Sequence, residues 1–179
     1  MIIEGSKVID YEKAVTEGMH LIRSGENKTL GLLILCGVNF GLRITDLLGI
    51  SYDQLKSGEF VVNEQKTNKK RVIRVNQTIK VALRHMIDEP RYQLGGMVFV
   101  SQKGTVYSPQ HVNRMLKKVF GAGYSSHGLR KGFGRRLYEK KDKDLSIVQM
   151  QLQHMNPADT LRYIGVTQEK LDECFDDLI

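Results

Sequence analysis

Apolar positions in residues 9–23 recur at helical spacing, with Ala14, Val15, Met19 and Ile22 on one stripe and Gly25 as a stop. Residues 28–40 (KTLGLLILCGVNF) are apolar on nearly every side, the pattern of a helix buried all round. Gly41 breaks that helix, and ITDLLGI starts a short second one. From Glu59 the period changes to two. EFVVNEQ and RVIRVN alternate, are rich in β-branched residues and flank the polar run KTNKK, which predicts an antiparallel hairpin with a basic tip. Helical spacing returns over residues 76–89, with Asn76 as cap and Ile79, Leu83, Met86 and Ile87 as the stripe. MVFVS, after Gly95–Gly96, reads as one more short strand.

Ser108–Pro109 opens a helix through Phe120, with Ser as N-cap and Pro at the first helical position. The turn GAGYSS precedes a helix from about His127 to Lys140, and LSIVQMQLQ is another. Asn156, Pro157 and Asp159 mark the start of a short helix ending near Gly165. Thr167 caps a last one, with Leu171, Cys174, Phe175 and Leu178 inward. The expected fold class is therefore α+β, mainly helical with one small antiparallel sheet. No repeat, low-complexity stretch or long linker divides the chain, so residues 1–179 are expected to form a single domain with 166–179 as a C-terminal tail helix.

At 179 residues the chain is long enough to bury a core without staples. The uncharged apolar run Leu30–Leu42 is too short to span a bilayer, and the N-terminus has no signal-type apolar stretch. No membrane association is expected, and a cytoplasmic location is. Cys36 and Cys174 read as buried thiols in a reducing compartment, which leaves no Cys-based zinc site. Charge adds a functional hint. Lys and Arg number 27 against 20 acids, a net charge of +7. Residues 166–179 hold five acids and one base, so the tail carries −4 and the remaining body +11. A basic body favours a polyanionic partner, and the acidic tail suggests a docking segment.

The informative chemistry is a set of scattered signals: Arg43 in GLRITDLL, Lys66 in KTNKK, His127 and Arg130 in HGLRKGF, His154 in LQH and Tyr163 in LRYIG. Together they resemble the tyrosine recombinase (phage integrase) family. Its first box, G-L-R-x-x-D/E-L-L, matches Gly41–Leu48. Its second box, H-x-L-R, matches His127–Arg130. That box is followed by L-x-H, with His154 24 residues after Arg130, and by a Tyr nine residues later. Lys66 matches the family's hairpin lysine in its K-T-x-K context, and Lys131 departs from a pattern in which His often follows the second-box Arg. The resemblance implies the tyrosine recombinase catalytic-domain fold, a site-specific recombinase that cleaves and rejoins double-stranded DNA, and a tetramer of protomers on two sites. It also implies a bacterial, phage or mobile-element origin and an N-terminal core-binding domain that this sequence would lack.

The chemistry can be stated from the residues. Opening a phosphodiester requires neutralising charge on a phosphorane-like transition state. No Asp/Glu/His cluster stands at metal-ligand spacing, so no metal or other cofactor is expected and guanidinium groups take the charge. Arg43 and Arg130 are the candidate forks. A phenol of pKa about 10 is a poor nucleophile at neutral pH, so Tyr163 needs a positive field and a proton acceptor, for which His127 is placed. His154 would donate to the phosphate, and Lys66 on its hairpin would protonate the leaving 5′-oxygen. The product would be a 3′-phosphotyrosyl link, resealed by a second 5′-hydroxyl without ATP.

Each residue also has a plainer reading. Arg43 could pair with Asp46 at a helix end, Lys66 competes with Lys69 and Lys70 in a solvated tip, and either histidine could be structural. Lys69, Arg71, Lys131 and Arg135 are further candidates for DNA contacts. The tail helix would dock on a neighbouring protomer or fold back on its own core. Two other functions share parts of this pattern, a type IB topoisomerase-like nicking and rejoining enzyme and a non-catalytic DNA-binding regulator of the same fold.

Overall fold

The structure, a computed structural model, describes residues 5–154 and 157–164, the side chains of Arg162 and Tyr163 excepted. The expectations for Asn156, for the tail 166–179 with Cys174, and for the Tyr163 side chain fall outside the described residues.

Helices α1 (Tyr11–Ser24) and α2 (Lys28–Phe40) form the centre of the molecule. Asp10 caps the first by accepting from the Lys13 amide, and Asn27 caps the second by accepting from the Leu30 amide. Ten of the residues from Leu30 to Phe40 in α2 are buried, as its all-round apolar pattern requires. At about 1.5–3 kcal/mol for each large aliphatic side chain taken from water, this helix supplies much of the core's stabilisation. Gly41 ends α2 in the left-handed region at φ 58°, and a Cβ there would run into the Phe133 ring. Only glycine permits this sharp exit, which turns the chain so that Arg43 precedes α3 (Ile44–Leu48).

After α4 (Tyr52–Lys56), β1 (Glu59–Glu64) pairs antiparallel with β2 (Lys69–Arg74) in a two-stranded sheet, with Phe60 opposite Ile73 and Val62 opposite Arg71. Phe60, Val62 and Glu64 on β1 and Arg71 and Ile73 on β2 are buried, while Val61 and Val72 face outward. Then follow α5 (Gln77–Arg84), α6 (Pro90–Gln93), α7 (Pro109–Phe120), α8 (Ser126–Lys140), α9 (Leu145–Leu152) and α10 (Pro157–Ile164). Helix α5 is shorter than its pattern suggested. Met86 stays in the core, but Ile87 is 45% exposed, because the chain leaves the helix at His85. MVFVS makes only isolated bridges, Ser51 with Met97 and Val100 with Val106.

Helix α8 separates two packed regions. One face meets α2 through Leu129, and another packs Phe133, Leu137 and Tyr138 against Val148, Leu152 and Ile164 of α9 and α10. On a third side residues 5–10 run along α8, with the Ile9 amide donating to the Gly128 carbonyl at 3.0 Å. Gly132 permits this approach, since a Cβ there would meet the Ile9 carbonyl oxygen. Among the described residues no helix is long and apolar enough to cross a membrane.

Candidate active site

Arg43, Lys66, His127 and His154 lie on four separate segments and border one cleft of about 660 Å³, with Thr67, Lys69, Gln153 and Asp159 completing its lining. Arg43 enters from the turn before α3, Lys66 and Thr67 from the hairpin turn, His127 from the first turn of α8, and Gln153 and His154 from the end of α9. Asp159 brings the first turn of α10 to the same cleft. The backbone at Tyr163 lies one helical turn further along α10.

Arg43 is held from behind. Its side chain keeps 20% of its surface exposed, and Nη1 donates to Oε2 of Glu64, a residue with no exposed surface. The sequence had offered Asp46 as the partner. Asp46 instead accepts from the Gln65 amide at 2.9 Å, and so fixes the residue before Lys66. The hairpin turn is tied on its other side by the Thr67 hydroxyl, which donates to Oε1 of Gln153 at 2.9 Å. Gln153 ends α9 in the left-handed conformation at φ 50°.

Arg130 does not stand beside Arg43 as a second open fork. It is 2% exposed, and its Nη1 and Nη2 each donate at 2.6 Å, to the carbonyls of Gly41 and Leu152. It therefore joins α8 to the turn that precedes Arg43 and to the last turn of α9. Its charge still reaches the cleft. The His127 pKa is lowered by burial first, then by Arg130, Lys131, Arg43 and Lys66. That of His154 is pushed down to about 4 by burial first and then by Arg130, against Asp159, which pulls it up. His154 Nδ1 lies 3.0 Å from the hydroxyl of the buried Thr160, so α10 orients this ring. Both imidazoles are neutral at pH 7, and a neutral ring can accept a proton.

The lowered histidine pKa values set a pH dependence of stability. Between pH 6.5 and about 4 the unfolded chain binds a proton at His154 that the folded chain does not, so stability falls as pH falls through that window. Discounted for solvent screening at a half-buried ring, the loss expected is about 1–2 kcal/mol. Urea midpoints measured from pH 7.5 to 4 should decline, and His154→Gln should flatten that decline. A midpoint independent of pH in the wild type would contradict the assignment.

The four candidate DNA contacts separate. Lys69 lines the cleft. Arg71 is a correction: it is 9% exposed and donates to the carbonyls of Phe40 and Gly41, because strand alternation turns it inward beside Ile73. Lys131 donates to the Ser6 carbonyl at 2.7 Å and holds the N-terminal segment, while Arg135 pairs with Glu139 on the exposed side of α8. Neither of these two borders the cleft. Sequence reasoning missed Glu64, Thr67, Gln153 and Thr160. For Glu64 a signal existed, an acid at the inward register position after Phe60 and Val62.

Comparison with known proteins meets this geometry from outside. The probable integrase/recombinase YoeC of Bacillus subtilis is 26% identical over 148 residues, covering 80% of this chain and 81% of YoeC. The tyrosine recombinase XerC of Caldanaerobacter subterraneus subsp. tengcongensis is 28% identical over 150 residues, covering 79% of this chain and 42% of XerC. Among solved structures, the XerH site-specific recombinase bound to its difH substrate in a pre-cleavage complex superposes with a TM-score of 0.67 at 19% identity. That superposition covers 97% of this chain and 55% of the XerH chain. The chain thus spans about half the length of these two larger proteins, and the likeness to XerH is one of fold. The model of the phage integrase family matches residues 12–170, a stretch that contains every residue of the cleft, and the chain belongs to that family.

Proposed function

We propose that this protein is a site-specific DNA recombinase that cleaves and rejoins double-stranded DNA through a 3′-phosphotyrosyl intermediate. The observation that carries the reading is the meeting of Arg43, Lys66, His127 and His154 in one cleft, to which Asp159 brings the first turn of α10, the helix whose sequence includes Tyr163. A scissile phosphate in the cleft would lie against the Arg43 guanidinium and the His154 ring. Arg130, buried and outside the cleft lining, adds a positive field that the low-dielectric interior screens little.

The Tyr163 hydroxyl attacks phosphorus and its proton passes to His127, whose neutral ring is the acceptor. The bond from phosphorus to the 5′-oxygen breaks, and Lys66 supplies the proton that this oxygen requires. The phosphate stays esterified to Tyr163, so attack by a 5′-hydroxyl from another strand reverses every step and reseals the backbone. Neither ATP nor a metal ion has a role in this sequence. Strand exchange requires two sites and four protomers, with the acidic tail 166–179 as the segment that links them.

The test is covalent capture in EDTA buffer on a pool of nicked duplexes with randomised flanks. An adduct stable to denaturant, mapped by mass spectrometry to the Tyr163 peptide and abolished in Tyr163→Phe, is expected. Binding without any adduct would instead support a DNA-binding regulator, and relaxation of plasmid lacking any captured sequence would support a topoisomerase.

A further inference from the structure

Glu64 is an acid where the strand pattern calls for a hydrophobe, and it has no exposed surface. Burying a carboxylate is costly unless cations meet it. Two do. Arg43 donates to its Oε2, and Arg71 Nη1 lies 3.5 Å from its Oε1. Arg71 is itself fixed by the carbonyls of Phe40 and Gly41 and by the Phe133 ring, whose centroid is 5.6 Å from its guanidinium carbon. The arrangement therefore runs from the turn that bears Arg43, through one buried carboxylate, back to that same turn.

As a stabilising device this is poor, since apolar residues of equal volume commonly hold a fold as well as a buried ion triad. Its geometric consequence is specific. One nitrogen of Arg43 is taken by a carboxylate that does not line the cleft, while Arg43 itself does, and a planar guanidinium has further N–H donors to offer. Glu64 is also two residues before Lys66, and the amide between them is held by Asp46. Glu64 thus holds the guanidinium while Asp46 holds the start of the lysine turn, and the short step from Glu64 to Lys66 ties these contacts into a single frame.

We infer that Glu64 is a positioning residue for phosphate binding by Arg43, aligning that guanidinium with Lys66 across the cleft. The inference rests on the proposed cleavage chemistry for its rate consequence, but not for its structural one.

The experiment uses the full chain as Glu64→Gln, as Arg71→Met, and as the double variant. In the double variant Glu64 and Arg71 are both neutral and Arg43, which keeps exposed surface, is the one charge of the triad that remains, so folding survives if the single Glu64→Gln fails. The first readout needs no substrate. The Arg43 guanidinium resonances, assigned through Arg43→Lys, should show restricted rotation in Arg71→Met and free averaging in the double variant. The second is single-turnover cleavage of a duplex obtained by covalent capture. The double variant should cleave about 10- to 100-fold more slowly than Arg71→Met, with affinity for that duplex changed less than about threefold. Restricted Arg43 resonances in the double variant, or equal cleavage rates, would overturn the inference. If the wild type forms no adduct, the recombinase reading fails while the resonances still decide what Glu64 does.

Discussion

Replacing Arg43 by alanine is expected to slow single-turnover cleavage by about 100- to 1,000-fold, the loss typical of one preorganised donor to a developing oxyanion. Arg43 is the described arginine that both borders the cleft and keeps exposed surface there, whereas Arg130 is turned into the wall and Arg71 into the core. Binding should suffer much less. One phosphate contact is lost, which lowers the slope of log affinity against log salt by about one and leaves the other contacts in place. Lysine should not restore the rate. A guanidinium gives Glu64 one nitrogen and keeps others for the phosphate, but an ammonium is a point charge that must choose between the two. Rates on a captured nicked duplex, together with anisotropy titrations over a salt series, separate these effects. A loss of less than about fivefold in Arg43→Ala would remove this residue from the chemistry.

How far the site could be read from the sequence depended on the range of the interactions involved. Local rules were sufficient for α2 and α7, where Asn27 and Ser108 supply the caps and Gly41 and Gly121 the stops. They also placed the hairpin, in which Glu64 stands in step with the buried Phe60 and Val62, and Arg71 with the buried Ile73. Arg71 as a DNA contact is at odds with that register. Helices α4 and α6, of five and four residues, are too short to show a periodic stripe. They exist because the surrounding core fixes their ends. Arg43, Lys66, His127 and His154, which line one cleft, were legible because each is marked by its own short pattern. Arg130 shows the opposite case. The carbonyls it serves belong to residues 89 and 22 positions away, and nothing local signals that the fold will bring them to it.

That same position yields the largest expected change in stability. Arg130→Ala removes a large, 2% exposed side chain and both of its bonds to main-chain carbonyls. The Gly41 carbonyl keeps Arg71 as a donor at 3.3 Å, but the Leu152 carbonyl loses the bond from α8. A cavity of this size together with an unsatisfied buried acceptor costs about 3–5 kcal/mol, or on the order of 10 °C in Tm for a domain of this length. Lysine would recover the charge but can reach only one carbonyl well, so most of the loss should remain. The substitution also has an electrostatic signature that a cavity alone would not produce. Arg130 is the largest charge effect on both His127 and His154, so in Arg130→Met their pKa values should rise toward the ordinary range. Urea unfolding combined with NMR titration of the histidine ring protons reads both consequences. Stability within about 1 kcal/mol of wild type in Arg130→Met, with unmoved histidine titrations, would mean that this guanidinium neither joins the three segments nor sets the potential of the cleft.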